Sequence, residues 1–191
     1  MVTLPLSGGS FNALSGSDKL VYTGGSVTID GGAGVDTVDF SQFNSAVWVN
    51  LSSNGSEIRT QDRPDLNSDS WRAIGDLTNV ENLVGTAYSD FLKGHDGNNI
   101  FTGGKGRDIF AVDHLGSSSQ HDVIVDFRPG VDRIDLAATP VTDFGDLFTV
   151  GNRYMEQVGK DVLIHTSVNQ DTSILLRDVE LGSLTESDFV F

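Results

Sequence analysis

Apolar residues return along this chain at a fixed interval of nine. Phe11, Leu20, Ile29 and Val38 form one series, and Leu83, Leu92, Phe101 and Phe110 a second. With 38% of all residues hydrophobic, eight in register would arise by chance on the order of once in a few thousand trials. A single inward side chain per nine residues is what a thin roll requires. From Leu20 onward, the residues two places before the apolar positions are mostly polar: Asp18 and Asp36, then Glu81, Asp90, Asn99 and Asp108, with Val27 an exception. If two nonapeptides make one turn of the roll, residues eighteen apart stack on the same side. Asp18 then meets Asp36, Asp90 meets Asp108, and Glu81 meets Asn99 on the opposite edge.

The pattern is interrupted between residues 40 and 75. Ala46–Leu51 alternates, with Val47, Val49 and Leu51 on one face and Trp48 on the other, and predicts a strand. Ser52–Ser70 is polar and reads as an excursion loop. Gly31 and Gly85 lie 54 apart, three times eighteen, so the two arrays are able to share one stack. The expected organisation is a first repeat block (1–39), the insert (40–75), a second block (76–111) and a C-terminal cap (112–191). Within the cap, Tyr154–Val158, Asp161–His165 and Ser173–Leu176 predict strands, with short helices near Asp143–Phe148 and Leu184–Asp188. The fold class is all-β.

Composition narrows the chemistry. The 27 acidic and 12 basic residues give a net charge of −15. Such a chain repels nucleic acid and anionic membranes and attracts cations. It has no cysteine, so neither disulfides nor thiolate metal sites are available. Met1–Asn12 lacks the features of a secretory signal peptide, and no apolar run reaches ~18 residues.

The apolar and acidic positions belong to a longer motif. Gly31–Asp39 (GGAGVDTVD) and Gly103–Ala111 (GGKGRDIFA) both fit G-G-x-G-x-D-x-U-x throughout. This resembles the calcium-binding nonapeptide of RTX (repeats-in-toxin) proteins. Downstream, Asp122–Phe127 and Gly130–Leu136 resemble the D-x-I-x-D-F…G-x-D-x-I-D-L segment that follows the roll in serralysin-type proteases. The resemblance implies a parallel β-roll of calcium-binding nonapeptides with a β-rich cap, a secreted bacterial protein, and calcium held between stacked turns. Its ligands would be carbonyls of positions one and three of one turn, those of two and four of the next, and position-six carboxylates.

Carried onto this chain, one site is Ala13, Ser15 and Asp18 with Gly32, Gly34 and Asp36, beside Gly31. A second is Gly85, Ala87 and Asp90 with Gly104, Gly106 and Asp108. A weaker third is Asp76, Thr78 and Glu81 with His95, Gly97 and Asn99. Asp122 and Asp126 would close a last site with Gly103, Lys105 and Asp108, and Asp113 would lie beneath Gly94, Asp96 and Asn99. The expected cofactor is therefore several calcium ions. Layers ~4.8 Å apart place neighbouring carboxylates at a repulsion of roughly 3–4 kcal/mol at an effective dielectric near 20, so metal should control folding. The ending Asp188–Phe191 resembles a type I secretion signal, which makes that export machinery the expected partner of a monomeric chain.

No enzyme is expected. None of the four histidines sits in H-E-x-x-H, and G-x-S-x-G is absent. Gly104–Arg107 contains Gly-Lys but lacks the Ser or Thr of a P-loop. The rival reading is a calcium-dependent carbohydrate-binding or adhesin module. Trp48, Trp71 and Tyr88 would offer stacking faces to a polysaccharide, or else pack the insert against the roll.

Overall fold

A computed structural model describes residues 1–4, 8–52, 55, 57–61, 71–112, 119–148, 154–167 and 172–191. The strands in chain order are β1 (Val2–Thr3), β2 (Gly9–Asn12), β3 (Lys19–Val21), β4 (Val27–Asp30), β5 (Thr37–Asp39), β6 (Val47–Asn50), β7 (Ile58–Thr60), β8 (Arg72–Thr78) and β9 (Asn82–Val84). They continue with β10 (Phe91–Lys93), β11 (Ile100–Thr102), β12 (Ile109–Ala111), β13 (Gln120–Ile124), β14 (Arg133–Asp135), β15 (Met155–Val158), β16 (Asp161–His165), β17 (Thr172–Leu176) and β18 (Phe189–Val190). Two sheets result, ordered β1-β3-β5-β9-β11-β13-β17-β16-β15 and β18-β14-β12-β10-β6-β7-β8-β4-β2. Outside β6–β8 and β15–β17 the chain alternates between them, so each pair of short strands completes one winding of an all-β roll.

The nine-residue period explains the register. Phe11 pairs with Ile29, Leu20 with Val38, Leu83 with Phe101 and Leu92 with Phe110, all in parallel. Because strand side chains alternate in direction, one residue per three-residue strand points inward. Leu20, Ile29, Val38, Leu83, Leu92, Phe101 and Phe110 are fully buried between the sheets, and Phe11 packs partly buried at the end.

The two arrays form one stack, but not through the 54-residue spacing. Val38 pairs directly with Leu83 in the first sheet. In the second sheet β8, β7 and β6 lie between β4 and β10, with β7 antiparallel to both neighbours. Strand β6 matches expectation, and Val47 and Val49 are buried. Strand β7 falls within the stretch read as a loop. It carries one apolar residue, Ile58, between polar neighbours, and sheet pairing on both sides holds it where its sequence alone gives little signal.

Three strands in the place of one spread the second sheet while the first stays closed. A cleft of about 540 Å³ opens there, lined by residues that include Leu51, Glu57, Leu77, Glu81 and His95. The cap strands β15, β16 and β17 form an antiparallel extension of the first sheet. Short 3-10 turns lie at Asp146–Phe148, Leu181–Ser183 and Glu186–Asp188. The ending is built into the fold: β18 pairs with β14, Phe189 is buried, and the Asp188 carboxylate accepts the Gly130 N–H at 2.6 Å.

Candidate metal centres

Each sheet-to-sheet crossing is a turn, and the turns stack along two edges. Those at 13–18 and 31–36 lie on one edge, and those at 85–90 and 103–108 on the other. Three of the four share a backbone conformation. At position two Leu14, Gly32 and Gly104 have φ of 71°, 89° and 88°. At position four Gly16, Gly34 and Gly106 have φ of 121°, 143° and 119°. Glycine suits both places because only it enters these regions without strain. Gly32 and Gly34 also leave room for neighbouring carbonyls: a Cβ on either would overlap the carbonyl oxygen of Leu14 or Gly16.

Position one is glycine for a different reason. Gly31, Gly85, Gly94 and Gly103 keep ordinary backbone angles. What they supply is space. A Cβ on Gly31, Gly85 or Gly103 would lie 2.8, 2.6 or 2.5 Å from an oxygen of Asp36, Asp90 or Asp108. The position-six carboxylate of each repeat thus leans over its own first glycine.

The carboxylates form two ladders. The Asp18 N–H donates to Asp36 at 2.8 Å, the Asp36 N–H to Glu81 at 2.7 Å, and the Asn99 N–H to Asp122 at 2.8 Å. On the other edge the Val47 N–H donates to Asp90 at 2.8 Å, the Asp90 N–H to Asp108 at 2.9 Å, and the Asp108 N–H to Asp132 at 3.0 Å. Asp36, Asp90 and Asp108 are all fully buried. Burial pushes Asp90 up to about 7. Asp108 rises to about 8, chiefly by burial, with the Asp90 and Asp132 carboxylates adding to it.

The structure therefore brings Ala13, Ser15 and Asp18 onto Gly32, Gly34 and Asp36, with Ser15 bridged to Ala33. It likewise brings Gly85, Ala87 and Asp90 onto the turn of Gly104, Gly106 and Asp108. The third set does not assemble. Asp76 and Thr78 lie in strand β8. Ile29 pairs with Leu77, 48 residues on, but Val38 pairs with Leu83, 45 on, so the turn before Glu81 is three residues short. Glu81 and Asn99 are still neighbours, through Asn99 Nδ2 to the Glu81 carbonyl at 2.8 Å. His95 lines the cleft, and Gly97 bends back to the His95 carbonyl, so this turn presents no matching carbonyl cradle.

The last set is corrected as well. Asp126 does reach the Gly103 turn, accepting the N–H groups of Gly103 and Gly104 at 2.7 and 2.8 Å, while Lys105 is exposed. Asp122 belongs to the other edge, next to Asn99, in the layer expected for Asp113 beneath Gly94 and Asp96. Asp113 itself lies outside the described residues. The carboxylate beside Asp108 is Asp132, which the sequence reading missed, and Arg128 is bound to both. Counting by eighteens fails here because Phe101 pairs with Ile124 and Phe110 with Ile134, at offsets of 23 and 24. Counting back two from each buried apolar residue finds Asp122 and Asp132 at once.

The donor set suits a hard cation with many oxygen ligands. Asp36 Oδ2 is buried without a hydrogen-bond partner among the described residues, a costly state for a carboxylate unless a cation completes it. Among the described residues no group of three or more His, Cys, Asp or Glu side chains is placed to hold a metal. A shell of this kind would draw on two carboxylates and on backbone carbonyls instead. Trp48 offers no free face to a sugar: Phe91 stacks on it at 5.4 Å and the Arg59 guanidinium lies 5.2 Å from its ring centre. The Tyr88 hydroxyl is bound to Asn44 at 2.8 Å.

The family described as Peptidase M10 serralysin C terminal matches residues 9–191. The chain belongs to this family. It is the RTX-type calcium-binding module of serralysin-like proteins, and the serralysin C-terminal domain is a non-catalytic module. Serralysin-type RTX modules generally bind calcium and occur in type I secreted, extracellular bacterial proteins. Comparison with curated proteins gives no match. No helix among the described residues is long and apolar enough to cross a membrane.

Proposed function

We propose that this module binds calcium between stacked turns and that calcium completes its fold after type I export. The turns concerned are 13–18 against 31–36 and 85–90 against 103–108. Residues there that would hold calcium are Asp18 and Asp36, and Asp90 and Asp108, with the carbonyls of the intervening turns. When bound, the ion supplies positive charge between carboxylates that otherwise repel. The observation that carries this reading is the buried Asp36 oxygen, without a hydrogen-bond partner among the described residues, inside a turn whose conformation recurs at 103–108. Extracellular calcium modules bind at ~10⁻⁴–10⁻³ M, so a cell interior poor in calcium would leave the roll loose and fit for export.

The test is circular dichroism and calorimetric titration of the chelated chain. Millimolar calcium should increase the β signal, and magnesium should substitute poorly because it dehydrates reluctantly and prefers an octahedral shell. A spectrum and melting temperature indifferent to calcium would falsify the proposal. Export is tested separately by co-expression with a type I exporter, where chain retained in the cell counts against that half.

A further inference from the structure

The ladder on the second edge does not stop at Asp108, but the space beyond it is already filled. Arg128 Nη2 donates to the Gly106 carbonyl at 2.8 Å, to Asp108 Oδ2 at 3.3 Å and to Asp132 Oδ1 at 2.6 Å. Its Nε donates to Asp132 Oδ2 at 2.9 Å. These acceptors are a position-four carbonyl and two successive position-six carboxylates. The two carboxylates are the same kind of oxygen, on successive layers, that the two proposed calcium positions offer, and the Gly106 carbonyl ties the guanidinium to the 103–108 turn itself. The Asp108 N–H to Asp132 bond shows that the two layers stack as the earlier ones do. The contrast is with Asp36, whose second oxygen has no partner among the described residues.

We infer that Arg128 is a built-in cation that fills the last inter-turn position on this edge. Calcium is then excluded there, and Asp108 serves one ion, shared with Asp90, not two. A guanidinium suits this role because its planar donors engage a carboxylate in two bonds and it stays charged at any working pH. The turn that carries it is closed on itself: the Arg128 N–H donates to Asp132 Oδ2 at 2.9 Å, and the Asp132 N–H to the Arg128 carbonyl at 2.9 Å. Strand β14 begins immediately afterwards and carries β18 on its far side. The C-terminal end of the roll is thereby held without metal, and it presents an ordered edge on which the calcium-dependent layers stack when the ion arrives.

This inference rests on the proposed calcium sites, and the experiment separates the two. Chelated wild type, Arg128→Gln and Arg128→Lys are titrated with calcium by calorimetry and melted with and without the ion. Wild type that takes up no calcium overturns the proposed function itself. Given wild-type uptake, Arg128→Gln should bind one additional ion per chain, and should melt lower than wild type in chelator but recover in calcium. Stoichiometry equal to wild type overturns the role of Arg128. If Arg128→Gln fails to fold under either condition, Arg128→Lys decides. With the charge retained it should fold and bind the wild-type number of ions, and an extra ion or a failure to fold overturns the inference.

Discussion

Leu14 is the residue at which the sequence and its backbone are most at odds. It occupies position two of its turn with φ of 71°, where Gly32 and Gly104 stand in equivalent turns, and it is 75% exposed. A branched residue in the left-handed region is strained by ~1–2 kcal/mol, and here no burial offsets the strain. Leu14→Gly should therefore stabilise the calcium form by up to about 1 kcal/mol, after the extra unfolded-state freedom of glycine is subtracted. A higher denaturation midpoint checks this, and a lower one would mean that Leu14 makes contacts beyond the turn. Gly34→Ala should act in the opposite sense. Its φ is 143° and its Cβ would overlap the Gly16 carbonyl oxygen, so a loss above ~1–3 kcal/mol is expected. Gly182→Ala is the control, since a Cβ there meets nothing within 4 Å and should change stability by no more than ~0.5 kcal/mol.

At the scale of elements, the insert is fastened to the roll from outside as well as inside. Arg59 on β7, Trp48 on β6, Phe91 on β10 and Ile109 on β12 lie directly opposite one another on successive strands. The Trp48 and Phe91 rings stack nearly parallel at 8°, and Arg59 covers the other side of the indole. Trp48→Ala should cost about 1–3 kcal/mol, while Arg59→Ala should cost about 0.5–1 kcal/mol. Both are read from urea midpoints in calcium; equal small losses would show that the ladder does not anchor the insert. The roll strands were legible because burial repeats every nine residues and leaves one apolar residue per strand. Strand β7 was not, since its pairing comes from β6 and β8 and not from its own composition. The three-residue shortening before Glu81 was equally invisible, because a polar turn of any length leaves the apolar series intact. Asp132 was hidden by an offset of 24, although Ile134 two places on marks its layer.

The whole molecule carries −15 net charge, and its two edges concentrate carboxylates in buried layers, so protons and calcium should compete for the same fold. Asp90 and Asp108 are held, chiefly by burial, at about 7 and about 8, against an ordinary 3.8. In the metal-free chain the folded form therefore keeps protons that the unfolded form has released. Stability must fall as pH rises from about 4 through about 8, because the folded state binds more protons across that window. Asp39 and Asp146 do not reverse this. Burial alone would raise Asp39, but its bonds to Lys19 and Ser41 lower it. Asp146 is lowered by bonds from Thr142. Their stabilising contributions are complete above 3.8 and decline only below it. Chelated chain moved from pH 8 to pH 5 should accordingly gain β signal by circular dichroism and unfold at higher urea. In millimolar calcium the dependence should weaken or reverse, since the ion displaces those protons and binds more tightly as pH rises through 7 to 8. A urea midpoint in chelator that rises from pH 5 to pH 8 would show that Asp90 and Asp108 ionise without penalty in the metal-free fold, and that calcium is not needed to hold those layers together.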